Sequence, residues 1–399
     1  GRDNKAYSPE VLKAAPGRRA YMFNEDMGEN PRIRTPEGGL RHIRSDEIKM
    51  NPWGLRMWWT HNFPISVNPG YEFYKKGAFA HRQELEKSNS PMLKSPFLRG
   101  ENFIRDFAKA FVVARQPGFA AILHTGPVGV QTPDDKKAQF GGPMGLGGGQ
   151  LSAFWTPESG AVLLGMRSGM SYDKSFDALD AWRTWPQHAI SGVTAGGKIF
   201  TSGRNANPGV ESAVEGNGAT VKVSGPVAAM KVVKDPAAPD KEKAQDQMYD
   251  DTLDGKVSYS RTFKIDDKGV AVETTISGDG KDQIAELYEV LPVYLRDAER
   301  QPKATPTTIE FQVGGKWASG TVEYQDKVTA VRLTRFTGAV VVTFDKPQRV
   351  KLAPVEWADT WFTKATARNV LIDLLGSGGK AAALKEAKTV AYRIEPAGK

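Results

Sequence analysis

The sequence contains no cysteine and only five histidines among its 399 residues. The missing thiols exclude disulfide bonds, thiolate zinc sites and a cysteine nucleophile. No two of the histidines (His42, His61, His81, His124 and His188) stand at a metal-binding spacing such as HxH or HExxH. No cofactor is therefore predicted, although a divalent metal held by two histidines that converge in the fold stays open.

The chain also lacks long apolar runs and common catalytic motifs. No run approaches the roughly 18 apolar residues of a membrane span, so no membrane segment is predicted. The GxSxG motif of serine hydrolases does not occur. The glycine-rich run at 141–149 fails the P-loop pattern because Gln150 and Leu151 stand where Lys and Ser or Thr are required. We interpret this run as a mobile or tightly turning loop beside a site.

The formal net charge of +8 lies entirely in the first half of the chain. Residues 1–210 carry 27 Lys and Arg against 19 Asp and Glu, whereas the remainder is balanced. A basic surface attracts anions such as acidic glycans or nucleic acid, but it is also an ordinary property of soluble proteins. Because no nucleic-acid-binding motif accompanies the charge, nucleic acid is not an expected partner.

Period-two alternation dominates the second half of the sequence. VSYSRTFKI (257–265) and GVAVETTIS (269–277) place apolar residues on one face, and further short strands follow between Gly, Pro and Asp. This pattern predicts a mainly β fold, a large antiparallel multi-sheet β-sandwich (supersandwich) with few short helices. SFDALDAWRTW (175–185) is expected to be one of those helices.

Two regions are predicted. Residues 1–75 form an irregular, aromatic-rich N-terminal arm, whose aromatics serve either packing or sugar stacking. Residues 76–399 form the β-sandwich region, with two halves divided near 234–256. That polar segment is expected to be an exposed loop or a short solvated helix.

The candidate site lies between Phe111 and Pro208, where cations, indoles and ring nitrogens occur among β-type apolar runs. Arg side chains pair with carboxylate or sulfate, and indoles stack on sugar rings. The expected catalytic residues are His124, His188 and Tyr172. The expected substrate-binding residues are Arg167, Arg183, Arg204, Asn205, Trp182 and Trp185. For each of these residues taken singly, packing or solvation is the commoner explanation.

FAAILHTGPVG (119–129), GGQLSAFWTPESGAVLLG (148–165) and WPQHAISG (185–192) resemble the C-terminal β-sandwich portion of heparinase II/III-type polysaccharide lyases. The resemblance implies β-elimination on uronate-containing glycans, in which a base removes a proton beside a neutralised carboxylate. It also implies a secreted, periplasmic or cell-surface location. The chain departs from the family at Leu146, Gly148 and Gln150, where the family's HxHxD residues are expected, and it lacks an α/α toroid. A separate helical toroid domain or chain is therefore an expected partner, besides an acidic polysaccharide.

A second hypothesis remains open beside the lyase. The chain is then a non-catalytic β-sandwich, either a glycan-binding module or a structural cell-surface protein. This alternative predicts glycan binding without turnover and requires no convergence of His124 and His188.

Overall fold

The computed structural model describes residues 32–34, 40–42, 102–128, 146–165, 170–172, 185–234, 246–297, 306–359, 365–376 and 380–397. Contacts divide the chain into two compact units, Gly1–Glu101 and Asn102–Lys399. In the first unit, β1 (Arg32–Arg34) pairs with β2 (Leu40–His42) in antiparallel orientation. The predicted boundary at 75/76 lies outside the described residues, and the predicted domain division as a whole stays a prediction.

The second unit is built from antiparallel strands. They are β3 (Phe103–Phe107), β4 (Phe111–Arg115), β5 (Ala120–His124), β6 (Gln150–Thr156), β7 (Gly160–Leu164), β8 (Met170–Tyr172), β9 (Ile190–Thr194), β10 (Ile199–Thr201), β11 (Gly209–Glu215), β12 (Gly218–Pro226), β13 (Ala228–Lys234), β14 (Asp246–Asp251), β15 (Val257–Ile265), β16 (Val270–Gly278), β17 (Gln283–Asp297), β18 (Thr308–Val313), β19 (Lys316–Ser319), β20 (Gln325–Arg335), β21 (Gly338–Asp359), β22 (Ala365–Asp373), β23 (Ala382–Ala383) and β24 (Lys388–Pro396). The predicted mainly β class is confirmed.

The strands of the second unit pair into one continuous sheet that closes on itself, and its two layers enclose the core. One follows the pairing order β11-β12-β15-β16-β24-β21-β20-β18-β19. The other contains β3 to β7 in chain order, together with β9, β17 and β22. The long strand β21 belongs to both, since its first half pairs with β20 and β24 and its second half with β22 and β8.

The alternation read from the sequence matches the burial of the strands. In β15, Val257, Tyr259, Arg261, Phe263 and Ile265 are all buried, and the same period holds in β16. Within the described ranges the helical segment is a single 3₁₀ turn at Ser202–Arg204, and no helix there has the length and apolarity needed to cross a membrane. The predicted helix at 175–185 lies almost wholly outside the described residues.

Two local expectations differ from the structure. The segment 234–256 was expected to be a loop or a solvated helix, but Asp246–Asp251 form strand β14 against β13. Cross-strand pairing thus overrides a polar composition there. The sequence GENFIRDFAKAF (100–111) favours a turn or short helix before two strands, whereas its described part contains β3 and a tight connection in which Ala108 and Lys109 adopt positive φ.

The last two residues of the glycine-rich run lie so close to neighbouring atoms that only glycine fits there. Gly148 and Gly149 have φ of 66° and 82°, in the left-handed region. A Cβ on Gly149 would lie 2.8 Å from Cβ of Val223, and one on Gly148 would lie 2.7 Å from the carbonyl oxygen of Ser202. The described end of the run therefore packs closely against Val223 and Ser202, while residues 141–145 and the interpretation of the whole run as a loop lie outside the described residues.

Replacement of Gly149 by Ala is expected to destabilise the fold by about 3 kcal/mol, because it combines left-handed strain with overpacking against Val223. Gly197→Ala is the matched control, since Gly197 has φ of 81° but open space around its Cβ position. Its expected cost is about 1 kcal/mol. Urea unfolding measures both values, and equal losses would show that the contact with Val223 is unimportant.

Candidate functional site

A fully buried polar network joins the two layers. The guanidinium of Arg261 donates from Nη2 to Oε2 of Glu289 at 2.6 Å and from Nε to Oγ1 of Thr274 at 2.9 Å. Its Nη1 donates to the backbone carbonyls of Gly149 and His188 at 2.7 and 3.0 Å. Every donor nitrogen of this buried cation is therefore engaged, as the burial of a charge requires.

The network continues from Glu289 to His188 and Tyr392. The Tyr392 hydroxyl donates to Oε1 of Glu289 at 2.7 Å, and Nε2 of His188 lies 2.6 Å from the Tyr392 oxygen. The backbone N–H of Leu151 donates to Nδ1 of His188 at 2.9 Å. Because Nδ1 accepts, the neutral ring carries its hydrogen on Nε2 and donates it toward Tyr392 and Glu289.

Burial and charge set the protonation states in this network. Burial and the nearby Arg261 charge lower the pKa of His188 to about 4, against the opposing effect of Glu289. Burial favours the neutral form of Glu289, but the charge of Arg261 and the bonds from His188 and Tyr392 outweigh it and lower its pKa to about 2. Burial raises the pKa of Tyr392 well above its usual value. At neutral pH the network is thus an Arg261–Glu289 ion pair with neutral His188 and Tyr392.

This network is closed to ligands. Arg261 and Glu289 are 0% exposed, and His188 and Tyr392 are 1% exposed. Asn205, a predicted substrate-binding residue, is also buried, and its amide donates to the hydroxyl of Tyr259, which in turn donates to the carbonyl of Gly148. These side chains hold the two layers together in the resting fold.

The remaining predicted residues are placed as follows. Arg204 is buried and donates from Nη2 to Asp250 at 2.5 Å, so it binds a carboxylate of its own chain. Trp185 is buried with its ring edge-on to Trp357, 4.8 Å between centroids. The backbone of Tyr172 pairs with Trp357 in β8 and β21. Arg167, Trp182 and Arg183 lie outside the described residues, and the predicted binding roles of these residues stay predictions.

A different surface carries exposed aromatic side chains, and we call it the aromatic face: Phe107, Trp155 and Arg105 are exposed on it, and Phe111 and His124 are half-buried. Phe107 and Phe111 are a cross-strand pair with stacked rings, 4.7 Å between centroids and 17° between planes. The His124 ring lies next along the row, 5.9 Å from Phe111. Trp155 is 44% exposed and Phe107 is 39% exposed. Strand spacing puts Trp155 roughly 16 Å from Phe111 on the same side of the sheet.

A β-bulge shapes the position of His124. The register between β5 and β6 shifts between Ile122 and Leu123, which makes Ser152 an extra residue of β6. The Ser152 hydroxyl lies 3.0 Å from the carbonyl oxygen of Ile122 and 2.6 Å from Nδ1 of His124. Burial of the ring lowers the pKa of His124 to about 4. His124 is accordingly neutral at pH 7, and its orientation is fixed by the bulge.

The two predicted histidines are therefore not brought to one site. They contact consecutive residues of β6, Leu151 and Ser152, but His188 belongs to the closed network and His124 to the aromatic face. Across the part of the chain that the structure describes, no group of three or more His, Asp or Glu is arranged to hold a metal ion. Sequence reasoning missed Arg261, Glu289 and Tyr392, although an Arg on the apolar face of β15 signals a buried partner of opposite charge.

Comparisons with known proteins give fold similarities only. No protein-family model and no curated protein matches the chain. A galactose mutarotase-like protein from Clostridium acetobutylicum is 9% identical over 75% of this chain and 99% of its own, with a TM-score of 0.37. A galactose mutarotase-like protein from Lactobacillus casei is 11% identical over 72% and 100%, with a TM-score of 0.36. A putative aldose 1-epimerase from Escherichia coli is 10% identical over 71% and 98%, with a TM-score of 0.35.

These findings correct the predicted family and activity. The resemblance to heparinase II/III-type lyases is wrong, because the solved structures that the chain resembles are galactose mutarotase-like proteins, a different family. The predicted β-elimination on uronate glycans is wrong with it. The positions of the two histidines agree with this correction, because His188 is buried in the interior and does not share a site with His124.

Removal of the Glu289 charge is expected to destabilise the fold severely. Glu289→Gln leaves Arg261 as an unpaired buried cation, for which a loss of about 3 to 5 kcal/mol is typical. Glu310→Gln is the matched control, because Glu310 also pairs with an Arg across strands, at 2.7 and 2.9 Å, but at the surface. Its expected cost is below about 1 kcal/mol. Comparable losses in chemical unfolding would contradict the structural role of the network.

Acidification is expected to weaken the fold through His188. Its pKa is about 4 in the folded chain and 6.5 in the unfolded chain, so the unfolded state binds the extra proton. The contribution of neutral His188 to the free energy of unfolding is complete above pH 6.5 and is lost as the pH falls through about 4. This loss amounts to about 3 kcal/mol. Unfolding free energies measured from pH 7 to pH 4 test this. In His188→Gln the free energy of unfolding should depend less steeply on pH. An unchanged pH dependence would refute the assignment of this effect to His188.

Proposed function

We propose that this protein binds carbohydrate on the aromatic face and that the binding involves no chemical turnover. The observation that carries the proposal is the exposed row of aromatic rings on β3 to β6. Most large apolar side chains of the unit are buried, whereas Phe107 and Trp155 expose about two fifths of their surfaces on one side of the sheet. Exposed aromatic groups that cluster on one face are typical of ligand surfaces.

Rings of this kind suit a sugar polymer. A sugar presents C–H groups on its flat faces and hydroxyls at its rim, so it requires an apolar platform with polar groups beside it. Stacked Phe107 and Phe111 form one platform and Trp155 a second, while Arg105 and His124 supply polar atoms next to them. The separation of the platforms favours an extended chain over a single sugar.

The same observations bear on the alternatives. The cross-strand pair of Phe107 and Phe111 also stabilises a purely structural sheet, but the exposure of Trp155 does not, which favours the binding hypothesis over the structural one. The expected location outside the cytoplasm and the expected acidic character of the glycan remain proposals. Arg204 gives the acidic character no support, since it is paired with Asp250, whereas the exposed Arg105 on the aromatic face is compatible with an acidic group.

Affinity electrophoresis and calorimetry with the full chain test the proposal against a panel of dextran, galactan, polygalacturonate and heparin. Trp155→Ala and Phe107→Ala are each expected to weaken binding of the best glycan about tenfold, because each removes a stacking platform. Trp317→Ala is the control, since Trp317 stacks on Arg332 in the β18–β19 hairpin. Equal losses in all three variants, or no binding to any glycan, would overturn the proposal.

A further inference from the structure

The hydrogen bonds around His124 determine which ring nitrogen can meet a ligand. The Ser152 hydroxyl contacts two atoms, the carbonyl oxygen of Ile122 and Nδ1 of His124. A carbonyl oxygen only accepts, so the single hydroxyl hydrogen is donated to Ile122. The hydrogen in the 2.6 Å contact must then come from the ring, and Nδ1 carries it.

The other ring nitrogen is therefore an acceptor. In a neutral imidazole with its hydrogen on Nδ1, Nε2 bears a lone pair and cannot donate. Burial keeps the pKa of His124 low, at about 4, so the ring stays neutral at pH 7. Nε2 has no hydrogen-bond partner among the described residues, and the side chain is partly exposed.

Gln150, which pairs with His124 across the strands, also has an acceptor atom that no donor contacts among the described residues. Gln150 pairs in register with His124, and its amide nitrogen donates to Oε1 of Gln187 at 3.3 Å. This bond fixes the amide so that Oε1 of Gln150 is an acceptor, and this buried atom has no partner among the described residues. Because Gln150 is fully buried, the acceptor at this end of the row that a ligand can reach is Nε2 of the partly exposed His124.

A hydrogen-bond acceptor in a binding site distinguishes uncharged sugars from sugars that carry a negative charge. A sugar hydroxyl donates a hydrogen bond to Nε2, but an ionised carboxylate or sulfate presents only acceptor oxygens. An anionic group beside Nε2 would lose water and gain no hydrogen bond, which is costly.

We propose that His124 is a specificity-determining residue of the aromatic face, where its Nε2 accepts a hydrogen bond from a sugar hydroxyl and selects an uncharged unit over an acidic one. This inference rests on the proposed glycan binding and narrows its ligand class. It also assigns His124 a role different from the catalytic one expected from the sequence.

The first experiment needs no glycan. Long-range ¹H–¹⁵N spectra of the full chain at pH 7 are expected to show His124 with a protonated Nδ1 and a bare Nε2. Ser152→Ala removes the acceptor for Nδ1 and is expected to shift the ring toward the other tautomer. A protonated Nε2 in the unaltered protein overturns the inference.

The second experiment compares polygalacturonate with its carboxyl-reduced form, in which each carboxylate is replaced by a hydroxymethyl group. The unaltered protein is expected to bind the reduced form about tenfold more tightly. His124→Phe keeps a flat ring without an acceptor, and it should lose that preference while its affinity for the acidic form stays the same.

The outcomes separate the two proposals. If Trp155→Ala weakens binding but His124→Phe leaves the preference unchanged, the inference about His124 fails and the proposed glycan binding stands. If neither form nor any panel glycan binds, the proposed function fails, and the specificity assigned to His124 fails with it. Thermal unfolding of His124→Phe verifies that the variant is folded.

Discussion

The ion pair between Arg261 and Glu289 is the constraint on which the packing of the two layers depends. Both side chains are fully buried, and an unpaired charge at either position would cost several kcal/mol. The pair joins β15 of one layer to β17 of the other, and Arg261 also reaches the carbonyl of Gly149 at the entrance of β6. Sliding or rotation of the layers would break these bonds as well as the strand pairing of β21 that joins both layers, so the network reinforces one alignment of the two layers.

The composition of this network resembles a catalytic set, since it holds a histidine, a tyrosine, an arginine and a glutamate. Its environment argues for a different role. A catalytic group must come within hydrogen-bonding distance of a substrate atom. These groups instead form hydrogen bonds with one another in the closed interior. Residue types therefore identify a functional site only when the side chains are also exposed to solvent. In this structure the exposed candidates lie on the aromatic face.

The sequence predicts the fold class and many strands because alternation is a local property. VSYSRTFKI coincides with β15, and its pattern already places Arg261 on the buried face. The partners of that arginine are not local. His188 and Tyr392 meet although 204 residues separate them, and this register depends on the pairing of strands across both layers. The polar segment at β14 was missed for the same reason, because pairing with β13 decides its structure.

One inserted residue connects the network to the aromatic face. Ser152 is the bulge residue of β6, and the shift that it causes frees the N–H of Leu151 to donate to His188 inside the molecule. The same shift turns the Ser152 hydroxyl toward His124 on the outside. A regular β6 would place residue 152 opposite Leu123, toward the core and away from His124. The bulge thus makes one histidine a donor within the core and the other an acceptor at the surface, which a scan for histidine spacing cannot reveal.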